Sequence, residues 1–394
     1  MKPKQIKIKR YKKSFTNNTQ KVRTAGKIGV FVVALAILFV LGFFFAKPLI
    51  DAVSGFWYNS IKAQGDKTSA SVVAEVTPSP KEDEIPQPTA VPQVEVADFS
   101  SPANWRMVNI SQVVTAEGAQ AVAKSLATEG VKYAIIPLKD ANGNVYYKSN
   151  LELAQNAIST TVVDATTLAK TFSDNGVIPC AYMSAFKDPL AAYADREMAV
   201  KFGADEYLWL DSSADLGGKP WLNPYNEKAK NYVTDMAKEI YSLGFKQIIV
   251  DKLQFPSGFG TNLCGYGEGS AQMGHGAALG VTAKALQEIA KNNNASVWVQ
   301  VPAEALAGVN MMGYDEAPTE IGIENMLVKV TLSRLEDGTV VANGVTADML
   351  SSFATKAKEK GTVSLGINVA DSALDQTLAK SFYDGSADFT QKFY

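Results

Sequence analysis

The sequence predicts an α/β protein: a TIM-like (β/α)8 barrel preceded by one transmembrane helix and a Pro-rich linker. Three observations lead to this prediction. Residues 28–46 carry no charge, residues 59–104 are rich in Pro, Ser, Thr and Glu, and residues 105–394 alternate short apolar runs with amphipathic segments. Alternating strand and helix patterns are typical of a parallel α/β fold.

Residues 1–27 form a basic segment that we expect to be cytoplasmic. This segment contains ten of the 38 Lys and Arg residues and no Asp or Glu. The rest of the chain therefore contains 28 basic and 40 acidic residues. The rest of the chain is therefore acidic, which argues against nucleic acid as a partner. The chain contains one His and two Cys residues, which are too few for a His-rich metal site or a disulfide framework.

Residues 28–50 fit one transmembrane helix, with the lipid bilayer as its partner. About 20 apolar residues, each rising 1.5 Å, span the ~30 Å hydrocarbon layer. The basic flank places the N-terminus in the cytoplasm and the C-terminal domain outside the cell membrane, as a single-pass protein. A cleavable signal peptide is the alternative, but its apolar region is usually about 7–15 residues long and a small-residue cleavage site follows it.

Residues 51–104 are predicted to be an extracytoplasmic linker rich in Pro, Ser and Thr. Its prolines prevent a regular helix or a central strand, so an extended, semi-rigid spacer is expected. A ligand for a Pro-recognising domain is the less favoured alternative. The prolines are Pro78, Pro80, Pro86, Pro88, Pro92 and Pro102.

Residues 105–394 contain eight apolar runs that predict strands. Eight strands alternating with helices in about 290 residues favour a closed barrel over an open doubly wound sheet. A Gly- and Pro-containing segment, 207–222, predicts a hairpin inserted after the third strand. The predicted strands are 107–110, 131–138, 177–184, 245–251, 296–301, 326–332, 362–369 and, more weakly, 388–393.

The segment 223–251 shows the helix-to-strand pattern most clearly. Asn223 is predicted to cap a helix whose first residue is Pro224, and Gly244 is predicted to end it. The run FKQIIVD then predicts a buried strand. Apolar residues recur at intervals of three and four on one helix face: Ala229, Tyr232, Val233, Met236, Ala237 and Ile240.

Charged residues follow several predicted strands, at the end of a barrel where active sites are built. Each carboxylate there could equally cap a helix or hold a turn. Asp251 is the exception, because the buried IIV run fixes it at the barrel mouth. In order, these residues are Lys139, Asp140, Lys187, Asp188, Asp251 and Glu304.

The stretches at residues 135–149, 176–189, 219–245 and 250–257 together resemble a known family, the glycoside-hydrolase-like domain of bacterial exported and membrane-anchored proteins. The resemblance covers most of residues 105–394 and is strongest between Tyr133 and Ser257. It implies a TIM barrel that hydrolyses O-glycosyl bonds. The stretches are IIPLKDANGNVYYKS, GVIPCAYMSAFKDP, KPWLNPYNEKAKNYVTDMAKEIYSLGF and VDKLQFPS.

The chain also departs from the family pattern on the face expected to hold substrate. Pro137 replaces an Asp, Tyr182 an Arg, Lys252 a Tyr, and Gln254 an Arg. Because an Arg beside a carboxylate keeps it ionised and binds sugar hydroxyls, these replacements point to altered or lost catalysis. The matching residues are Lys139, Asp140, Lys187, Asp188 and Asp251.

Glycoside hydrolysis usually needs two carboxylates on either side of the scissile bond. The predicted pair is Asp251 and Glu304, which follow neighbouring strands, although Glu304 could instead lie in the first turn of a helix. Glu268 is a reserve acid in a Gly-rich loop, 258–280, that is predicted to follow Asp251. The expected substrate-binding residues are Lys139, Asp140, Tyr182, Lys187, Asp188, Lys252, Gln254 and Glu268.

No metal or cofactor is predicted. His275 is expected to be an ordinary loop residue, because nothing in the sequence fixes its position. Cys180 is expected to be buried and unpaired, with a bridge to Cys264 as the alternative. Two functions stay open: a membrane-tethered hydrolase of envelope or extracellular polysaccharide, and a degenerate barrel that binds glycans or organises the envelope.

Overall fold

The computed structural model describes residues 96–97, 104–204, 206–308, 313–315, 317–331, 333–362 and 364–369, with positions 374, 377 and 378. The predicted membrane segment, most of the linker and the predicted strand 388–393 lie outside the described residues. Among the helices of the described part, none is both long and apolar enough to cross a membrane.

The described residues form a mixed α/β domain. Its strands are β1 Trp105–Met107, β2 Tyr133–Lys139, β3 Val145–Tyr147, β4 Ile158–Val163, β5 Ile178–Ser184, β6 Lys201–Phe202, β7 Gln247–Asp251, β8 Cys264–Gly265, β9 Ser296–Pro302, β10 Asn325–Val330, β11 Ser333–Glu336, β12 Thr339–Ala342 and β13 Ser364–Val369. Its α-helices are α1 Ala116–Thr128, α2 Ala165–Asp174, α3 Pro189–Ala194, α4 Glu227–Ser242, α5 Gly269–Gln272, α6 His275–Asn292, α7 Ala303–Leu306 and α8 Ala347–Glu359.

Seven strands pair in parallel in the order in which they follow one another along the chain: β1, β2, β5, β7, β9, β10 and β13. This order is that of a TIM barrel, and helices connect most neighbouring strands. Six of the first seven predicted strands are therefore confirmed, with bounds that differ by a few residues, whereas the strand predicted at 107–110 lies at Trp105–Met107 and shares only Met107 with the prediction. The eighth, which would close the barrel, lies outside the described residues.

Side chains on these strands alternate between two separate cores. One set packs against the helices, as Val250 and Val299 do. The other set points to the opposite face of the sheet and forms its own cluster, the inner core. The inner core consists of Ala97, Trp105, Tyr133, Ile135, Cys180, Ile249, Trp298 and Leu327, with Ile178 and Tyr182 packed against it.

Helix α4 confirms the predicted apolar face but not the predicted start. All six expected residues are buried. The N-cap is Asn226, whose side chain accepts a hydrogen bond from the Ala229 amide. Asn223 instead accepts a hydrogen bond from the Tyr225 amide, two residues on, so it holds the turn that precedes the helix. The helix ends at the predicted place, with Gly244 at φ 98°.

The loops differ from the sequence-based prediction in two places. In the insertion after β5, the Asp211 amide donates to the Lys219 carbonyl, but the segment 207–222 is not a two-stranded hairpin, because its ends, Leu208 and Leu222, pair with Lys201 and Ala199. Strands β11 and β12 form a hairpin that was not predicted. Its turn residues, Asp337 and Gly338, have φ values of 47° and 79°. Asp-Gly is a strong signal for this kind of turn, and it was present in the sequence.

Two expectations about the glycine-rich segment and its histidine are wrong. The segment does not remain a loop as far as residue 280, because α6 begins at His275 and contains Gly276 and Gly280. His275 is also held in place: its ring stacks on Phe255 at 3.8 Å between centroids, and its Nδ1 pairs with Asp315. Packing between distant segments fixes this residue. Cys180 and Cys264 are both free, as the favoured reading of the sequence predicted.

Candidate active site

A polar layer lies on the inner-core face at the C-terminal ends of four neighbouring strands. Each member follows an inner-core residue by two positions, so it points to the same side of the sheet. The layer therefore continues the apolar inner core with groups that can bind or react. Its members are Tyr182 on β5, Asp251 on β7, Gln300 on β9 and Lys329 on β10.

Asp251 is the one carboxylate among the four members of this layer. It is 4% exposed, and its two oxygens accept separate hydrogen bonds. The Tyr182 hydroxyl donates to Oδ2 at 2.5 Å, and the Lys252 amide donates to Oδ1 at 2.8 Å. Burial and the charge of Asp251 raise the pKa of Tyr182 well above its usual value, so the phenol remains a proton donor. Gln300 also hydrogen-bonds to Tyr182.

Lys252 links Asp251 electrostatically to Glu304. Burial lowers the pKa of Lys252, and Lys329 and Lys187 lower it further, whereas Asp251 and Glu304 raise it. Asp251 ends β7 and Glu304 follows the end of β9, and these two strands pair in parallel, so both acids lie at the same end of the sheet. The backbone of Lys252 has a φ of 56°, a conformation that L-residues rarely adopt.

Glu304 lies beyond the end of β9, in the first turn of α7, which is the alternative placement considered above. Its side chain is 6% exposed and accepts a hydrogen bond from the Asn343 amide group. Asn343 lies in the tight turn between Ala342 and Val345. Sequence analysis missed Asn343, although its position before Gly344 marks a turn.

Lys139 and Asp188 form a buried ion pair. Their charged groups are 2.9 Å apart, and their side chains are 1% and 0% exposed. Lys139 also donates to the Ser184 carbonyl, and Asp188 caps α3 by accepting from the Ala191 amide. We expected both to bind substrate, but groups this deeply buried have no surface to offer to a sugar. In this conformation the pair supports the strand ends instead.

Asp140 holds a turn at the end of β2. It accepts hydrogen bonds from the Asn142 and Asn144 amides, both at 2.9 Å, and from the Tyr146 hydroxyl at 2.8 Å. Burial acts to raise the pKa of Asp140, but these hydrogen bonds outweigh it and lower the pKa. The Asp140 charge also reaches Tyr182, so the turn lies near the polar layer.

Lys187 joins the end of β5 to the inserted segment 207–222. Its ammonium lies 3.0 Å from Asp211 and 5.1 Å from the centroid of the Trp221 ring. Trp221 donates its indole N–H to the same carboxylate at 3.1 Å. Lys187 is 28% exposed and remains accessible at the rim. Asp211 was not among the predicted site residues, because its role depends on a partner 24 positions away.

The two remaining predicted residues lie in different surroundings. Gln254 is 1% exposed, and its amide group donates to the Ser257 hydroxyl at 3.3 Å. Glu268 is exposed at the start of α5, and no described contact joins it to Asp251. Among the described residues, no group of three or more His, Cys, Asp or Glu side chains could hold a metal ion.

A sequence model of one protein family, described as "Putative glycosyl hydrolase domain", matches residues 108–313. The chain belongs to this family. The match covers the strands and loops that carry Tyr182, Asp251 and Glu304, and it confirms the resemblance drawn from the four sequence stretches. No curated protein matches the chain.

Solved structures show distant similarity only. A hypothetical protein from Ruminiclostridium thermocellum is 21% identical, with a TM-score of 0.42 over 50% of this chain and 95% of that one. A glycoside hydrolase family 20 β-N-acetylglucosaminidase is 12% identical, with a TM-score of 0.43 over 70% of this chain and 54% of that one. The family 20 exo-β-N-acetylglucosaminidase from Vibrio harveyi is 9% identical, with a TM-score of 0.44 over 68% and 41%. This chain thus spans about half or less of either enzyme.

Proposed function

We propose that this protein is a membrane-tethered glycoside hydrolase that acts on extracytoplasmic or cell-envelope polysaccharide. Residues 28–50 are the anchor, residues 51–104 the spacer and residues 105–394 the catalytic barrel, closed by a strand at 388–393. Membership of a glycosyl hydrolase family and the strand order of a TIM barrel support the barrel and its chemistry. The basic flank and the apolar run support the anchor.

The observation that carries the hydrolase assignment is the placement of Asp251 and Glu304 at the C-terminal ends of the neighbouring parallel strands β7 and β9. Two carboxylates that face one cleft are what glycoside hydrolysis usually requires. Tyr182 and the Lys252 amide orient Asp251 as an anion, which suits a nucleophile or a general base. Glu304 is the general acid: Asn343 binds one of its oxygens, and the other delivers the proton to the leaving group.

The remaining charged groups have two roles: some bind the substrate at the rim of the barrel mouth, and others hold the ends of the strands in position. Lys187 lies at the rim and binds sugar hydroxyls, and the charges of both acids act on Lys252, whereas Asp140 holds the turn after β2. The buried pair of Lys139 and Asp188 positions the ends of β2 and β5 without touching substrate. Tyr182 takes the place of the family's Arg and holds Asp251 through a hydrogen bond from a neutral donor.

Incubation of the full-length protein with envelope polysaccharides tests the function, if binding and released reducing ends are followed together. The wild-type protein should do both. Asp251→Asn and Glu304→Gln keep the side-chain shape, so each should retain binding and lose at least about 100-fold in turnover. Asp174→Asn, on the exposed part of α2, is the matched control for loss of one carboxylate. Binding without release by the wild-type protein would instead support the glycan-binding alternative.

A reporter fused to the C-terminus tests the proposed location. In intact cells the reporter should be outside the membrane and sensitive to added protease. A mature protein that begins near Lys47 would show that the apolar segment is a cleaved signal peptide, and the tether would then be wrong.

A further inference from the structure

A cavity of about 680 Å³ lies in the loops that follow β7 and precede β10, within the size range of about 300–1,000 Å³ typical of small-ligand sites. Its walls combine aromatic rings with a few polar groups. The lining residues that matter below are Phe255, Asn262, Tyr266, His275, Tyr314 and Asp315.

The aromatic wall is built by contacts between segments far apart in the chain. Phe255 stacks on His275, and Tyr266 meets both rings edge-on, at 5.2 and 5.3 Å between centroids. The Phe255 amide donates to the Gly313 carbonyl. Gly313 has a φ of 84°, and a Cβ there would lie 2.1 Å from the Phe255 carbonyl oxygen, so only glycine allows this approach. The cavity is therefore shaped before any ligand arrives.

The cavity is close to the candidate catalytic carboxylate. Tyr314 is fully buried, lines the cavity and interacts electrostatically with Asp251. Phe255 follows Asp251 by only four residues, at the end of the same strand and loop. The cavity wall therefore begins next to the strand end that carries Asp251.

The charged side chains that line the cavity are of one sign, which is negative. Its described lining contains one carboxylate, Asp315, and no Lys or Arg. Burial lowers the pKa of His275 despite the opposing effect of Asp315, so the imidazole is mostly neutral at pH 7. Burial is also the main cause of the raised pKa of Tyr266, and the Asp315 charge adds to it. The cavity is negative overall and lined with π-systems.

We propose that this cavity binds a hexosamine unit that carries a free, protonated amino group, within the glycan held at the barrel mouth. The ammonium pairs with Asp315 and lies against the aromatic rings, which attract cations. The C–H groups of the sugar pack on the same rings. This inference rests on the proposed function and adds the class of sugar unit that the site prefers.

The test compares two oligosaccharides of equal length, glucosamine oligomers and their N-acetylated counterparts, by calorimetric titration of the full-length protein in mildly acidic buffer. The free-amine oligomer should bind about five- to tenfold more tightly, a difference that one ammonium pair with aromatic contacts can supply. Asp315→Asn should abolish that preference while leaving the affinity for the acetylated oligomer within about twofold. Asp315 is 68% exposed, so its replacement should not disturb folding.

Two further variants make the result decisive. Asn262→Asp adds a second carboxylate to the cavity and should increase the preference for the free amine. Asp174→Asn changes the charge by the same amount far from the cavity and should leave the preference unchanged. Equal affinity for the two oligomers, or a preference that survives Asp315→Asn, would overturn the inference and leave the hydrolase proposal standing. Failure of the wild-type protein to bind either oligomer or any envelope glycan would overturn both.

Discussion

Two aspartates at the same end of the barrel have opposite surroundings. Asp188, after β5, is fully buried against the ammonium of Lys139 and caps a helix. Asp251, at the end of β7, is held by two neutral donors, a phenol and a backbone amide. A carboxylate already neutralised by a buried lysine is suited to hold the fold. Asp251, oriented by a phenol and a backbone amide rather than by a buried lysine, is instead suited to act on a substrate.

The largest expected effect on stability concerns the buried pair. Lys139→Met leaves the Asp188 charge buried without its partner, so the free energy of unfolding should fall by about 3–5 kcal/mol, measured by urea denaturation. Adding Asp188→Asn removes the unpaired buried carboxylate charge and leaves a side chain that can still cap α3. The double variant should therefore be more stable than Lys139→Met alone. A double variant as unstable as the single one would contradict the pairing.

The next effect concerns the phenol that holds Asp251. Tyr182→Phe removes a hydrogen bond to a charged acceptor, worth about 1.5–3 kcal/mol, and kcat/KM should fall by about 10- to 100-fold. Tyr146→Phe removes a comparable bond, from a phenol to Asp140. It should change kcat/KM far less, because Asp140 holds a turn. Similar losses in both variants would show that the Tyr182 bond has no special role.

Lys252 gives a prediction about pH. Because its pKa is lowered in the folded protein, mainly by burial, the unfolded chain binds more protons between that lowered value and 10.5. The cost of burying the charged lysine is therefore fully present below the folded pKa and is relieved as the pH rises through it. Lys252→Met should be more stable than the wild-type protein near neutral pH, and this advantage should shrink toward pH 10.5. An advantage independent of pH would contradict this.

The smallest change in the free energy of unfolding is expected for an exposed ion pair on the outer surface. Lys170 and Asp174 form an exposed pair one turn apart on α2. Such pairs contribute about 0.3–0.5 kcal/mol, so Asp174→Asn should change the unfolding free energy by less than about 0.5 kcal/mol. A loss as large as that of Lys139→Met would mean that burial does not separate the two kinds of ion pair.

The sequence predicted most of the fold because the fold rests on local patterns. Six strands and the buried face of α4 follow from runs and intervals of apolar residues. The helix start was placed three residues early, since Asn223 and Asn226 are both good caps and only the turn geometry distinguishes them. The pair Asp337-Gly338 indicates the turn of the β11–β12 hairpin, but this hairpin was not predicted.

The candidate site was less predictable because its contacts join distant segments. The position of Asp251 followed from the strand next to it. Its bond to Tyr182 crosses 69 positions, and the bond between Glu304 and Asn343 crosses 39. No local pattern encodes such pairs. The sequence also could not show that Lys139 and Asp188, retained from the family motif, face each other rather than a substrate.

The most direct test of this account is a parallel measurement on Asp251→Asn and Asp188→Asn, with turnover and unfolding free energy determined for both full-length variants. Asp251→Asn should lose at least about 100-fold in turnover while its stability changes by no more than about 1–2 kcal/mol. Asp188→Asn should lose about 3–5 kcal/mol of stability, because Lys139 is left buried and unpaired, while the folded fraction stays active. An Asp251→Asn variant with wild-type turnover would contradict the central claim.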